Sequence, residues 1–283
     1  MSNARTSLED GLLLVADVET TGLDPTTDRV VSVGLAYFLG GAYTRRRYEC
    51  VINPGEAAIA AGEANGAAAV HQLSADTLRV AQPFAEIAPA IRDHILGLHS
   101  KDNPPPFIGV PRVLVGYNSD YDVAMLSAEF ARAGLCNPLL EMPFVDPRWF
   151  LWHRDPTSST KLGTVCQTYG IPLAAHNASD DARATGVLLC TLVRTGIIPT
   201  NLREALVLQQ IYKAQHTHSR DLFAGWAIFD AAGALQLLKG PKPGALVADL
   251  DTWGIRAVQG APGIPPLLAE VLQAELQRRG DAP

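Results

Sequence analysis

A chain of 283 residues, 47% hydrophobic and 18% charged, has globular composition and is long enough for one large domain with a smaller companion. Its formal net charge of −6 excludes a protein that coats nucleic acid by bulk positive charge, though not an enzyme that touches a few nucleotides. No apolar run approaches the roughly 20 residues that span a bilayer and the opening MSNARTSLED lacks a secretory pattern, so a cytoplasmic location away from membranes is expected.

The first legible element is GLLLVADVE, a continuous apolar run that predicts a central strand buried on both faces. TTGLDPTTD is turn chemistry, and RVVSVGLAYFL predicts a second strand, joined through Gly40 and Gly41 to a third, AYTRRRYECVINP. One buried strand with a hairpin beside it departs from a plain βαβ repeat. AGEANGAAAVHQLSADTL, alanine-rich and broken by glycines, predicts short helices. PFAEIAPAIRDHILGL predicts a longer one, with Phe84, Ile87, Ile91 and Ile95 at helical spacing. HSKDNPPPFIGVP reads as a proline-rich surface loop, RVLVGYN as a strand, and SDYDVAMLSAEFARAG as a helix stopped by Gly134. FVDPRWFLW reads as a short strand or turn, with Asp146 in a turn or cap. KLGTVCQTYG and SDDARATGVLLCTLVRTG predict two more helices, each ended by glycine.

After TGIIPT the character changes. NLREALVLQQIYKAQ predicts a helix, HTHSRD a polar loop, GWAIFDAAGALQLL a hairpin, KGPKPG a turn and PPLLAEVLQAELQRRG a terminal helix. The expected organisation is a main domain over residues 1–200, a helix and linker over 201–219, and a small domain over 220–283.

The chemistry concentrates in acids. Residues i and i+2 of a strand share a face, so Asp17 and Glu19 point the same way from the end of the most buried strand. Unpaired buried charge is expensive, so either the pair is exposed in a turn or something positive meets it. Asp122 lies in the first turn of a helix and heads the stripe Asp122, Met125, Leu126, Phe130, which directs it toward the body of the protein. Asp120 heads a less apolar face and reads as an ordinary acid at a helix N-terminus. Asp181 heads Thr185, Leu188, Leu189 and Leu192, with Ser179 or Asp180 as the expected N-cap, and His176 lies in the loop before it. Acids brought together repel unless cations compensate, and oxygen ligands favour Mg²⁺ or Mn²⁺ over zinc. Two such ions about 4 Å apart are the recurring device of phosphoryl transfer.

The blocks DVETTGLD, GYNSDYDVAML and HNASDDARAT resemble, in order, the three signature segments of the DEDDh-type 3′–5′ exonucleases. That family includes the proofreading (epsilon) subunit of bacterial DNA polymerase III and RNase T. AVHQLSADTL resembles the family's V-H-G-I-S segment, with Gln72 in the usual glycine's place, and KLGTVCQTYGIPL resembles the helix before the last motif. The resemblance implies an α/β RNase H-like exonuclease fold, with a mixed five-stranded sheet flanked by helices and a small C-terminal α+β region. It implies Asp17, Glu19, Asp122 and Asp181 as ligands of two Mg²⁺ or Mn²⁺ ions, and His176 as the general base. A branch with tyrosine four residues before the last Asp is set aside, because position 177 is Asn. Thr20, Thr21, Gly22, Leu23, His71 and Asn118 are implied on the substrate side. Tyr117 stands where the family often has histidine, which bears on substrate contacts and not on metal.

The expected activity is hydrolysis of nucleic acid from 3′ ends to nucleoside monophosphates, with single-stranded DNA favoured, in DNA replication or repair. The alternatives are a proofreading subunit whose tail binds a DNA polymerase, and an RNA-trimming exoribonuclease. Simpler readings cover the remaining features. Arg45, Arg46 and Arg47 guard an edge strand. His216, His218 and Asp221 belong to a polar linker. Trp149, Trp152, Trp226 and Trp253 pack in cores or between domains. Cys50, Cys136, Cys166 and Cys190, with no C-x-x-C pair, are reduced core fillers. The tail, with Gly240, Lys242, Gly244 and Trp253, weakly resembles a small domain appended to many such exonucleases.

Overall fold

The apolar run at the start of the chain becomes the middle strand of a mixed sheet. The computed structural model describes residues 7–97, 112–155, 158–174, 176–230 and 234–280. It divides into two compact units, Met1–Pro147 with Lys161–Leu206, and Arg148–Thr160 with Val207–Pro283. In the first, β1 (Leu12–Thr20) pairs antiparallel with β2 (Val30–Leu39), and β2 pairs antiparallel with β3 (Ala42–Val51). On its other side β1 runs parallel to β4 (Arg112–Val115), which pairs with β5 (Phe144–Val145). The order β3-β2-β1-β4-β5 is the mixed five-stranded sheet that the family resemblance implies.

Helices α1 (Glu56–Ala64), α2 (Ala67–His71), α3 (Ala75–Val80) and α4 (Phe84–Leu96) precede β4. After it come α5 (Asp120–Arg132), α6 (Pro147–Arg154), α7 (Leu162–Thr168) and α8 (Ala178–Arg194). The run Leu12–Ala16 of β1 is apolar because both of its faces are covered. Leu12, Leu14, Ala16 and Val18 share a core with Phe84, Ile87 and Ile91 of α4 and Met125 and Phe130 of α5. The alternate residues, Leu13 and Val15 and then Asp17 and Glu19, turn to the face over which α8 lies. The stripe Thr185, Leu188, Leu189 and Leu192 of α8 is fully buried. β3 forms the outer edge of the sheet, and Arg45, Arg46 and Arg47 are all exposed on it.

In the second unit, β6 (Ala227–Phe229) and β7 (Leu235–Leu237) form the expected hairpin. They share a core with α10 (Thr252–Gln259) and α11 (Pro266–Arg278) through Ile255, Val258, Leu268 and Leu272. Two expectations change here. HTHSRD is helical, the continuation of α9 (Leu202–Leu222). Aromatic packing outweighs its polarity, because the His216 ring meets Trp152 edge-on at 4.4 Å and Tyr212 stacks on His153 at 3.6 Å. FVDPRWFLW is a two-residue strand followed by α6, whose first residue, Pro147, has the φ that a helix start prefers.

The packing role expected of every tryptophan, and the core role expected of every cysteine, are also too broad. Trp149 and Trp152 are buried while Trp253 is 71% exposed, and Cys166 and Cys190 are buried while Cys136 is exposed. The proline-rich loop lies outside the described residues. Among the described residues, no helix is long and apolar enough to cross a membrane.

Candidate active site

Three elements end at one place. β1 delivers Asp17 and Glu19 on one face, and a break in the β1–β2 register between Glu19 and Thr20 turns the chain into the 20–28 loop just beyond them. α8 brings Asp181 from its first turn. Ligand oxygens of Asp17, Glu19 and Asp181 all lie within 4.8 Å of one another. Asp122, in the first turn of α5, is buried beside this group but outside it. β4 stops pairing with β1 at Val15, and the Asp122 carboxylate accepts the Val18 N–H beyond that point.

The loop before α8 is shaped by the same cluster. His176 is exposed, with its backbone in the left-handed region at φ 68°, and its N–H donates to Asp181 Oδ2 at 3.1 Å. The N-cap is Asn177, whose Oδ1 accepts the Asp180 N–H at 2.9 Å, in place of the expected Ser179 or Asp180. Ser179 is fully buried, where it cannot reach an exposed first-turn amide, and Asp180 is paired with Arg183 at 2.7 Å. Asn177 Nδ2 donates to Glu49 Oε1 at 2.9 Å, tying the loop to β3.

Without cations the acids resist ionisation. Burial, and then the charges of Asp122, Asp181 and Glu19, hold Asp17 well above the carboxylate range. Burial followed by Asp181 pushes Glu19 up to about 7. Asp181 rises to about 6 through burial, against the His176 N–H, which favours its charged form. Asp122 is raised by burial and by Asp146, a buried acid at the end of β5. The sequence reading gave Asp146 a turn or cap role. Its signal was an acid closing an apolar strand, as at Asp17.

Beside the acids a groove of about 640 Å³ is lined by Glu19, Thr20, Gly22, Leu23, Val70 and Tyr121, among others. Leu23 is 82% exposed over it. Thr20 Oγ1 donates to the Gly22 carbonyl at 2.8 Å, and the Tyr121 hydroxyl donates to the same carbonyl at 2.7 Å while also meeting Thr20 Oγ1. A Cβ on Gly22 would lie 2.4 Å from the Asp28 carboxylate, so any larger residue there would have to displace Asp28. The other three residues implied on the substrate side have distinct places. Thr21 is buried, accepting the Arg29 N–H. His71 is buried at the end of α2, with Nδ1 accepting the Leu73 N–H. Asn118 is exposed with φ 60°.

Sequence reasoning missed Glu129. Buried on α5 two turns beyond Asp122, it accepts Arg29 Nε and Nη2 at 2.6 and 3.0 Å and the Val30 N–H at 3.2 Å. Arg132, in contact with it, donates to the carbonyls of Pro25 and Thr26. Together these pin the middle and the far end of the 20–28 turn. Glu129 occupies the same apolar stripe as Asp122, and that spacing was the available signal.

This arrangement coincides with a known class. Residues 14–189 match the family model for the RNase T exonucleases, described as "Exonuclease", and the chain belongs to that family, on its DEDDh-type 3′–5′ branch. A DNA polymerase III of PolC type from Oceanobacillus iheyensis is 26% identical over 197 residues, which are 68% of this chain and 12% of that protein. One from Streptococcus pneumoniae is 28% identical over 190 residues, 66% of this chain and 11% of the relative. The chain thus spans about an eighth of these relatives' length. Among solved structures, the nuclease domain of 3′hExo, a DEDDh family member bound to rAMP, superposes with a TM-score of 0.54. It is 14% identical, over 68% of this chain and 96% of that one. At that identity the likeness is one of fold.

Proposed function

We propose that this chain is a metal-dependent exonuclease that removes nucleoside monophosphates one at a time from the 3′ end of single-stranded DNA. The observation that carries this reading is the convergence of Asp17, Glu19 and Asp181 within 4.8 Å. Asp181 Oδ1 is buried with no hydrogen-bond partner, the state of a ligand oxygen awaiting a cation. An all-oxygen donor set of hard carboxylates suits Mg²⁺ or Mn²⁺. Asp17, Glu19 and Asp181 would hold such ions, with Asp122 on the α5 side. Bound there, a pair of divalent ions supplies activation of water and compensation of charge on the leaving oxygen.

The chain's own residues do the rest. His176, exposed at the mouth and tied by its backbone to Asp181, takes the proton of the attacking water, a task suited to imidazole near neutral pH. The 20–28 turn receives the terminal nucleotide, with the exposed Leu23 offering an apolar surface to its base. The test is a panel of labelled single-stranded DNA, duplex DNA with mismatched ends and short RNA, incubated with Mg²⁺ or Mn²⁺. Stepwise 3′ shortening of DNA, abolished by EDTA and by Asp17→Asn, is expected. Faster shortening of RNA would replace DNA with RNA in this reading, and cleavage that survives EDTA would overturn the mechanism.

The likeness to PolC-type polymerases supports a second reading, in which the chain serves a DNA polymerase as a proofreading partner. Co-purification with a polymerase of the same cell would support it.

A further inference from the structure

The acids of β1 and the acid of α8 belong to different elements, so something must fix the distance between them. Asp17 pairs across the sheet with Gly34 of β2, and Gly34 pairs with Glu49 of β3. Directly paired residues of an antiparallel ladder share a face, so Asp17, Gly34 and Glu49 form one rung beneath the start of α8. A Cβ on Gly34 would stand 2.2 Å from the Ala178 carbonyl carbon and 2.3 Å from the Ser179 nitrogen. Those are backbone atoms of the first turn of α8, which cannot swing aside as a flexible side chain can. At the outer end of the rung, Glu49 accepts the side-chain N–H of Asn177, the N-cap of the same helix.

We propose that this rung is the gauge of the metal site: Gly34 sets how deeply the first turn of α8 sits on the sheet, and Glu49 holds its cap. Together they place the Asp181 carboxylate against Asp17 and Glu19. Gly34, Glu49 and Asn177 are thus positioning residues. The inference rests on the metal-binding reading above.

A second glycine supplies the control. Gly186, two turns further along α8, sits over Phe38 of β2, and a Cβ there would lie 2.2 Å from the Phe38 ring. Ala at either glycine disturbs the same helix–sheet packing, but only Gly34 lies under the turn that carries Asp181.

The experiment measures Mn²⁺ binding to the full chain by calorimetry, together with melting temperature, for the wild type, Gly34→Ala, Gly186→Ala and Glu49→Ala. Gly34→Ala is expected to lose about 10- to 100-fold in Mn²⁺ affinity, the range seen when the support of a metal ligand is disturbed. Gly186→Ala is expected to lower the melting temperature while keeping affinity within about threefold of the wild type, below the roughly 10- to 100-fold losses seen when a metal ligand's support is disturbed. Equal losses of affinity in the two glycine variants, or an unchanged affinity in Gly34→Ala, would overturn the proposal.

Should Gly34→Ala fail to fold, Glu49→Ala decides. A several-fold loss of Mn²⁺ affinity supports the rung, and wild-type affinity overturns it. A wild type that binds no Mn²⁺ would sink the metal reading itself and the rung with it, whereas a wild type that binds while the variants are unchanged would sink only the rung.

Discussion

Helices α5 and α8 both start at the carboxyl end of β1, and each presents an aspartate from its first turn, yet the two carboxylates have different surroundings. Asp181 takes the His176 N–H on one oxygen and leaves the other buried without a partner, within reach of Asp17 and Glu19. Asp122 is just as deep, but it accepts the Val18 N–H and meets the charge of Asp146. An oxygen with no other partner is the better ligand, and one already engaged by the backbone and repelled by a neighbouring acid is the poorer. The first-turn position delivers an acid to the floor of the site, and the neighbours decide how strongly it holds a cation.

That contrast orders the expected effects. Chelation with EDTA should abolish turnover. Asp181→Asn should lower kcat by about 100- to 1,000-fold, the scale on which one electrostatic partner of a transition state is lost. His176→Ala should cost about 100-fold or more, with the proteins still folded by circular dichroism. Asp122→Asn should be milder, about tenfold in Mn²⁺ affinity. It should also raise the melting temperature of the metal-free protein, because it removes a like charge beside Asp146 and Asp17. Asp122→Asn as inactive as Asp181→Asn, with its melting temperature unchanged, would erase the distinction between the two helices.

The metal-free protein offers a pH test. Glu19 at about 7 and Asp181 at about 6 lie above their ordinary values of 4.5 and 3.8. The folded state therefore holds these protons more tightly than the unfolded chain. Their contribution to stability is complete below about pH 4 and is lost as pH climbs through 6 and 7. With EDTA present, the melting temperature should fall from about pH 5 to about pH 8, and Mg²⁺ should restore it by more at the higher pH. A melting temperature indifferent to both pH and Mg²⁺ would mean that the acids do not converge.

The strands, the helix stripes and the acids were legible because each rests on local periodicity. LLLVADVE alternates two covered faces, and Asp122 and Asp181 each head a stripe whose other members are buried. What escaped the sequence depends on partners distant along the chain. Asn177 caps α8 but also ties to Glu49, 128 positions away, and Glu129 meets Arg29 across 100. Asp146 was legible as an acid after a strand but not as a neighbour of Asp122, which only the parallel pairing of β4 with β5 brings close. HTHSRD was misread for the same reason, since its helix is supported by aromatic rings of α6 more than 60 positions earlier.

The smallest effect probes what α5 does besides carrying Asp122. Tyr121, the preceding residue, reaches the substrate turn, where its hydroxyl donates to the Gly22 carbonyl and meets Thr20. Tyr121→Phe keeps the ring and removes that hydrogen bond, leaving Thr20 as the remaining donor to Gly22. The loss should be about 0.5–1.5 kcal/mol, the net worth of one such bond. That corresponds to a rise of about two- to tenfold in KM for the terminal nucleotide, with kcat and Mn²⁺ affinity nearly unchanged. A change confined to KM would assign the start of α5 to holding substrate and that of α8 to holding metal. A fall in Mn²⁺ affinity in Tyr121→Phe would show instead that the turn and the cation are coupled, through Thr20 and its neighbour Glu19.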